Sequence, residues 1–304
     1  MDYSIRPKYI SQNNKYYSKK NKYYNLSVTS NNSDHSEHIS PNYSSSNHSN
    51  SNHSDSNHSS LDCPNFNNGQ NVPGKYNTFK NITYLKKIIF PPINDNKLHQ
   101  LMIDEESIKY ITFNSSAREI TNIIMNNLLD FPCPNVSDEE KWKFESPDKK
   151  MKNLVITEMT AGVGGNVLNF AKYFKYVNAI EIDSTRYNYL NKNIKLYGFN
   201  NVNCYNNDSV ELLVNKDDIA QNIVFFDPPW GGRDYKLFQN LRINFGIFSV
   251  ENICKILFQR PKNKMIVLKL PNNYDFNYLI TELKNYNISK FNIDRMTIII
   301  IKNY

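Results

Sequence analysis

The sequence predicts an α/β protein: a doubly wound, mainly parallel sheet, preceded by a short extension and a long low-complexity tail. Three observations carry this expectation. Strand-like and helix-like segments alternate over about 150 residues from Leu154 onward, the pattern of a parallel sheet with crossover helices. Five of the nine glycines fall in two loops, Gly162/Gly164/Gly165 and Gly231/Gly232, each behind a predicted strand. Residues 31–75, by contrast, are dominated by Ser, Asn and His, with the spaced triplets Asn47-His48-Ser49, Asn52-His53-Ser54 and Asn57-His58-Ser59. Such a tract has too little to bury to offset the chain entropy lost on ordering.

Order is expected from Asn77. The apolar, β-branched stretch Tyr84–Phe90 is stopped by Pro91-Pro92, and Leu101–Asp104 and Ile108–Phe113 follow. Ser115 or Ser116 offers an N-cap for a helix through Leu129, with Ile120, Ile123, Ile124 and Leu128 on one face. A charged connector leads to the first strand, Leu154–Glu158, and a helix over Asn166–Phe174. A second strand, Val177–Ile182, precedes a helix that Gly198 is suited to stop. Val202–Tyr205 and Ile223–Phe226 are the next strands. A helix over Val250–Phe258, a strand over Met265–Leu270 and a helix over Phe276–Asn285 come next, and strands Ile288–Ile293 and Met296–Ile301 complete the pattern. The resulting division is a tail (1–76), a helical extension (77–150) and a catalytic domain (151–304).

Composition narrows the classes. The 304 residues are 39% hydrophobic, with a mean hydropathy of −0.62. The longest unbroken aliphatic run is Ile298–Ile301, far short of the roughly 18 residues of a membrane span. The first residues lack the apolar core of a secretory signal. Cys63, Cys133, Cys204 and Cys254 stand apart from one another, which argues against a disulfide scaffold or zinc finger and for a reducing, intracellular setting. No metal site is expected. The net charge of +7 permits an anionic partner. Six basic residues and six tyrosines are interleaved in residues 1–30; such an arm can contact phosphates and stack on unpaired bases, or simply be a solvated tail.

The chemistry is expected at the carboxyl ends of the strands, where doubly wound sheets place their crevice. Gly162, Gly164 and Gly165 allow backbone to lie against a ligand, although Val167 stands where a dinucleotide fingerprint has its third glycine. Glu181 and Asp183 follow the second strand, where a carboxylate can accept both hydrogen bonds of a ribose diol. Asp183 also suits the N-cap of the next helix, whereas a strand-borne Glu181 needs a partner to offset its burial, and a ligand is the expected one. Asp208, after the third strand, can receive an adenine amino group. Asp227-Pro228-Pro229-Trp230 must leave the sheet rigidly, since prolines cannot serve as ladder residues. An amino group can donate to the Asp227 carboxylate and the Pro228 carbonyl, while a flat, cationic base stacks on Trp230.

Glu158-Met-Thr-Ala-Gly-Val-Gly-Gly-Asn166, Ala179-Ile-Glu-Ile-Asp183, Asp208 and Asp227-Pro-Pro-Trp-Gly-Gly-Arg-Asp-Tyr235 together resemble the trimethylguanosine synthase family. These are S-adenosylmethionine-dependent RNA cap guanine-N2 methyltransferases. The likeness spans about residues 100–304, since Met102-Ile-Asp-Glu-Glu to Ile120 resembles the family's pre-domain segment. It implies a class I methyltransferase fold with a seven-stranded sheet. It also implies that Thr160, the glycine loop with Asn166, Glu181, Asp183, Asp208 and Asp227 hold S-adenosyl-L-methionine. By the same likeness, Trp230, with Gly231 beside it, stacks on 7-methylguanine, and Tyr235 and Arg118 contact the cap phosphates. The family often has Ser at the position of Asp227 and Phe-Cys at Thr160-Ala161. It tends to have Arg where Asn272 stands, so that Asn272 is expected at the substrate while Lys269 or Arg233 substitutes in meeting the phosphates.

The expected function is methyl transfer from S-adenosylmethionine to the exocyclic N2 of a 7-methylguanosine cap on RNA, with Asp227, Pro228 and Trp230 as the catalytic group. The alternatives are N2 or N6 methylation of an internal base, and a catalytically silent RNA-binding module.

Overall fold

The computed structural model describes residues 77–304, apart from the side chains of 77–81, 136 and 233. The Lys/Tyr arm, the Ser/Asn/His tract and the Arg233 side chain lie outside the described residues. Contacts divide the chain at residue 82, and the description below concerns the unit containing Thr83–Tyr304.

Seven strands form one sheet: β1 (Val155–Glu158), β2 (Tyr176–Ile180), β3 (Val202–Tyr205), β4 (Ile223–Phe226), β5 (Met265–Pro271), β6 (Asn287–Ile293) and β7 (Met296–Lys302). Their order is β3-β2-β1-β4-β5-β7-β6. All pairings are parallel except those of β7, which runs antiparallel to both β5 and β6. The order reverses between β1 and β4, which places the ligand crevice outside their carboxyl ends.

Alternation along the strands loads both faces. Ile156, Val177, Phe225, Val267 and Ile300 belong to one core, and Val224, Phe226, Ile266, Leu268 and Ile301 to the other. The first core is covered by helices α1 (Asn77–Ile89), α2 (Asn114–Asn126), α3 (Val167–Phe170) and α4 (Ser184–Tyr197) through residues such as Ile89, Ile120, Phe170 and Leu190. The second is covered by α5 (Val250–Phe258) and α6 (Phe276–Glu282) through Ile253, Leu257 and Leu279.

Several boundaries differ from the sequence expectation. The β-branched stretch before Pro91 lies in a helix, because its apolar residues pack at helical spacing and Ile89 and Phe90 are fully buried. Helix α2 starts at Asn114 without a serine cap, since Ser116 is buried inside its first turn. It ends at Asn126, where Asn127 leaves helical geometry and bonds back to Ile123. Helix α3 is a single turn. A π-helical turn, Glu211–Lys216, and a hairpin of two-residue strands, Asn244–Phe245 and Phe248–Ser249, carry no clear period in the sequence. Helix α4 is as expected: Asp183 caps its start, and Gly198 stops it at φ 75°.

The segment before β1 straps the first glycine loop. The Asn193 side chain on α4 accepts from the Met102 amide at 2.7 Å and donates to the Met102 carbonyl and to the Val163 carbonyl, both at 2.9 Å. Arg186 reaches from the start of α4 to Asp104 at 3.3 Å and Glu106 at 2.6 Å. The strap lies so close to Gly165 that a Cβ there would meet Ile111 Cγ1 at 2.8 Å and the Thr112 carbonyl at 2.9 Å. Only glycine fits.

Candidate active site

The loop after β1 turns at Gly162 and Gly164, both with positive φ (54° and 106°), and leads directly into α3. Residues lining a small open cleft beside it come from three strand ends: Met159 and Thr160, then Ile180, Glu181 and Ile182, then Asn207 and Ser209, with Phe245 from the hairpin. Glu181 stands just beyond β2 rather than within it, and both its carboxylate oxygens accept backbone amides at 2.8 Å, from Gly162 and from Asp183. Burial raises its pKa, and these two amides and Arg186 pull the other way. The partner that burial demands is thus supplied by the chain itself rather than by a ligand, while Glu181 also lines the cleft.

Asp183 and Asp208 are placed differently. Asp183 accepts from the Arg186 amide at 2.9 Å as the N-cap of α4. Asp208 accepts from the Val210 amide at 2.8 Å, at the start of the π-helical turn, and its neighbours Asn207 and Ser209 line the cleft.

Glu158, at the end of β1, is buried with one oxygen accepting from the Asn166 side chain at 3.0 Å. Its other oxygen, and Asn166 Oδ1, have no hydrogen-bond partner among the described residues. Burial pushes the Glu158 carboxyl up to about 8, with the Asp227 charge adding to the shift and Asn166 and Lys269 opposing it. Unpaired buried acceptors are costly, so this pair fits the ammonium group of an amino-acid moiety. The residues present therefore suit S-adenosylmethionine: Glu158 and Asn166 at its amino-acid end, the Gly162–Gly165 loop along it, and Glu181 at its ribose.

The second half of the crevice follows β4. Phe225 pairs with Glu158 and with Val267, and Phe226 pairs with Leu268. Two residues further along, Asp227 and Lys269 therefore project on the same side as Glu158. The Lys269 ammonium lies 2.6 Å from Asp227 Oδ2. Burial raises the Asp227 pKa, and the Lys269 charge and hydrogen bond oppose that. Thr160 Oγ1 donates to the Asp227 carbonyl at 2.8 Å and so ties the two loops together.

Trp230 is half-buried, its Nε1 donating to the Lys269 carbonyl at 3.3 Å. Tyr235 stands edge-on to it at 5.2 Å, and the Lys269 ammonium is also 5.2 Å from the indole centroid. Gly231 and Gly232, both at positive φ, let the chain turn away directly behind the indole.

Three residues expected at the substrate are placed as follows. Lys269 is only 4% exposed and engaged with Asp227, because its strand is central and its side chain points inward. The Asn272 amide donates to the Asp294 carbonyl and accepts from Thr297, which holds the β6–β7 turn against β5. Arg118 is exposed on α2, within electrostatic reach of Lys172. Of the functional candidates, Glu158, Asn207 and Ser209 are signalled by their strand-end positions, whereas Ile182, Met159 and Phe245 are ordinary apolar residues that only the fold brings to the cleft.

The sheet order with its one reversed strand, the glycine loop after β1 and the acid after β2 define a class I S-adenosylmethionine-dependent methyltransferase. The model of the RNA cap guanine-N2 methyltransferase family matches residues 153–302. The chain belongs to that family. It is 65% identical over 224 residues to an uncharacterised protein of Acanthamoeba polyphaga mimivirus, covering 74% of this chain and 88% of that one. A tRNA(Phe) 4-demethylwyosine aminocarboxypropyltransferase from Methanocaldococcus jannaschii is 31% identical over 163 residues (50% of this chain, 61% of that one). Trimethylguanosine synthase from Saccharomyces cerevisiae is 27% identical over 129 residues, 41% of this chain and 40% of that one. Among solved structures, a precorrin-6y C5,15-methyltransferase from Geobacter metallireducens superposes with a TM-score of 0.41 at 13% identity, covering 70% of this chain and 97% of that one. The chain thus spans most of the viral relative but less than two thirds of the other two sequence relatives.

Among the described residues no helix is long and apolar enough to cross a membrane, and no group of three or more His, Cys, Asp or Glu is placed to hold a metal.

Proposed function

We propose that the chain methylates the exocyclic N2 of 7-methylguanosine in an RNA cap. The observation that carries this reading is the pairing of Trp230 with Asp227 on one rigid turn, at the strand end beside the cofactor cleft. S-adenosylmethionine, when bound, supplies a methyl group already activated by its sulfonium charge, so the chain's work is orientation.

Each residue then has a distinct part. The indole of Trp230 offers its face to a planar base, and a cationic base gains ~0.5–2 kcal/mol there. Tyr235 and the Lys269 backbone keep that indole from turning. Asp227 Oδ2 is held by Lys269, and Oδ1 is left to accept from the base amine. The Pro228 carbonyl, fixed by two consecutive proline rings, is a second acceptor for the same amine. The amine sheds its proton after attack, to Asp227 or to water, and needs no stronger base.

The family match and the two cap-modifying and tRNA-modifying relatives support an RNA substrate. The test is incubation with labelled S-adenosylmethionine and RNA that is uncapped, capped, or capped and 7-methylated. Label is expected in the 7-methylated cap alone. Label in uncapped RNA would favour internal-base chemistry, and a product heavier than the methylated base would indicate aminocarboxypropyl transfer instead.

A further inference from the structure

Lys269 is the one charged side chain within a run of apolar residues on a central strand: Met265, Ile266, Val267, Leu268 and Leu270 are all fully buried. Taking an ammonium out of water costs several kcal/mol unless it is paired, and an aliphatic residue would pack there without that cost. Its retention needs a reason, and its surroundings give one. The ammonium touches the Asp227 carboxylate at 2.6 Å and lies over the Trp230 ring at 5.2 Å, while its own carbonyl receives the indole N–H at 3.3 Å. Its side chain thus meets both Asp227 and Trp230, the two ends of the Asp-Pro-Pro-Trp turn.

We propose that Lys269 is a positioning residue for methyl transfer: from inside the sheet it holds the Asp227 carboxylate and the Trp230 indole in one fixed arrangement, ready for the base. This rests on the base-binding role given to that turn above. Among the described residues, the charged or titratable groups facing Asp227 are Lys269 from β5 and Glu158 from β1, the latter close enough to feel the Asp227 charge. Thr160 and Trp230, which also pack there, carry none. Lys269 provides the positive charge that opposes the effect of burial on the Asp227 carboxyl and so favours its anionic, accepting form.

The sign of the effect follows. Burial pushes the Asp227 pKa up and Lys269 pulls it down, so loss of the ammonium lets Asp227 take up a proton at higher pH. In Lys269→Met the midpoint of the Asp227 carboxyl, read by carbon NMR in the full chain without substrate, is expected to move up by at least one pH unit, roughly a tenfold gain in proton affinity. The acid limb of kcat/KM on a 7-methylated cap dinucleotide should move with it, read at saturating S-adenosylmethionine because the Lys269 charge also lowers the Glu158 pKa. Lys269→Arg should keep the wild-type midpoint. If the methionine variant does not fold, Lys269→Gln, which keeps a donor but no charge, should show the same upward shift. An unmoved midpoint in whichever uncharged variant folds overturns the proposal. A wild type that never methylates the cap dinucleotide overturns the function above instead, and the NMR midpoints still decide the role of Lys269.

Discussion

The two halves of the crevice are built on opposite principles. Around the β1 and β2 ends, polar groups are left wanting: Glu158 and Asn166 each keep a buried acceptor without a partner among the described residues, whereas Glu181 beyond β2 is satisfied by two backbone amides. Around the β4 and β5 ends, the polar groups satisfy one another, Asp227 with Lys269 and the Trp230 N–H with a backbone carbonyl. The first half holds unpartnered buried acceptors, and the second ties its polar groups to one another. That difference suits a bound cofactor that must be gripped through its charge and a base that need only be received by a rigid surface.

If the halves are separable, variants on each side should fail differently. The largest effect is expected for Trp230→Ala: kcat/KM on a capped substrate should fall by about 100-fold or more, since a small misplacement of the acceptor is that costly. S-adenosylmethionine affinity by calorimetry should persist. Loss of cofactor binding in that variant would join the two halves into one.

Next is Gly165→Ala, where the added methyl meets backbone and Ile111 under 3 Å. The strap must shift, a strain of ~1–3 kcal/mol, read as a lower Tm and weaker cofactor binding with the base half intact. A Gly165→Ala chain of wild-type stability would show that the strap is not held tightly there.

A milder effect sharpens the role of Glu158. Its carboxyl is raised to about 8 in the folded chain against 4.5 normally, so the folded state holds a proton that the unfolded state releases. Stability from this group is full below about pH 4.5 and is lost as pH rises toward 8, by up to ~1.4 kcal/mol per unit. Glu158→Gln should flatten that decline in chemical denaturation between pH 5 and 8. Cofactor affinity in the wild type should rise through the same interval, as the anion that receives an ammonium forms. The smallest change is expected for Arg118→Ala, an exposed residue beside Lys172. A fewfold rise in KM for longer RNA is the limit for a lone surface cation.

Much of this was legible in the chain. The strands announced themselves because a sheet buried on both faces needs near-continuous apolar runs, and the two glycine clusters and the double proline marked where the chain must leave it. What stayed hidden was set by distance along the chain. Nothing near Lys269 in sequence shows that β5 lies against β4, so its pairing with Asp227, 42 residues away, emerges only from register. The same holds for Phe245, which reaches the cleft from a hairpin too short to have a period. In sequence Glu181 is a strand residue that calls for a ligand; the loop amides that satisfy it instead lie 19 residues before it and 2 after it.

The central claim is that the open part of the Trp230 indole receives a charged purine. The chain has two tryptophans, so in a Trp142→Phe background the emission of Trp230 alone can be titrated with 7-methylguanosine and with guanosine. The account predicts saturable quenching by both, tighter for the methylated, cationic base. Equal affinity for the two, or no quenching by either while S-adenosylmethionine still binds, would contradict it.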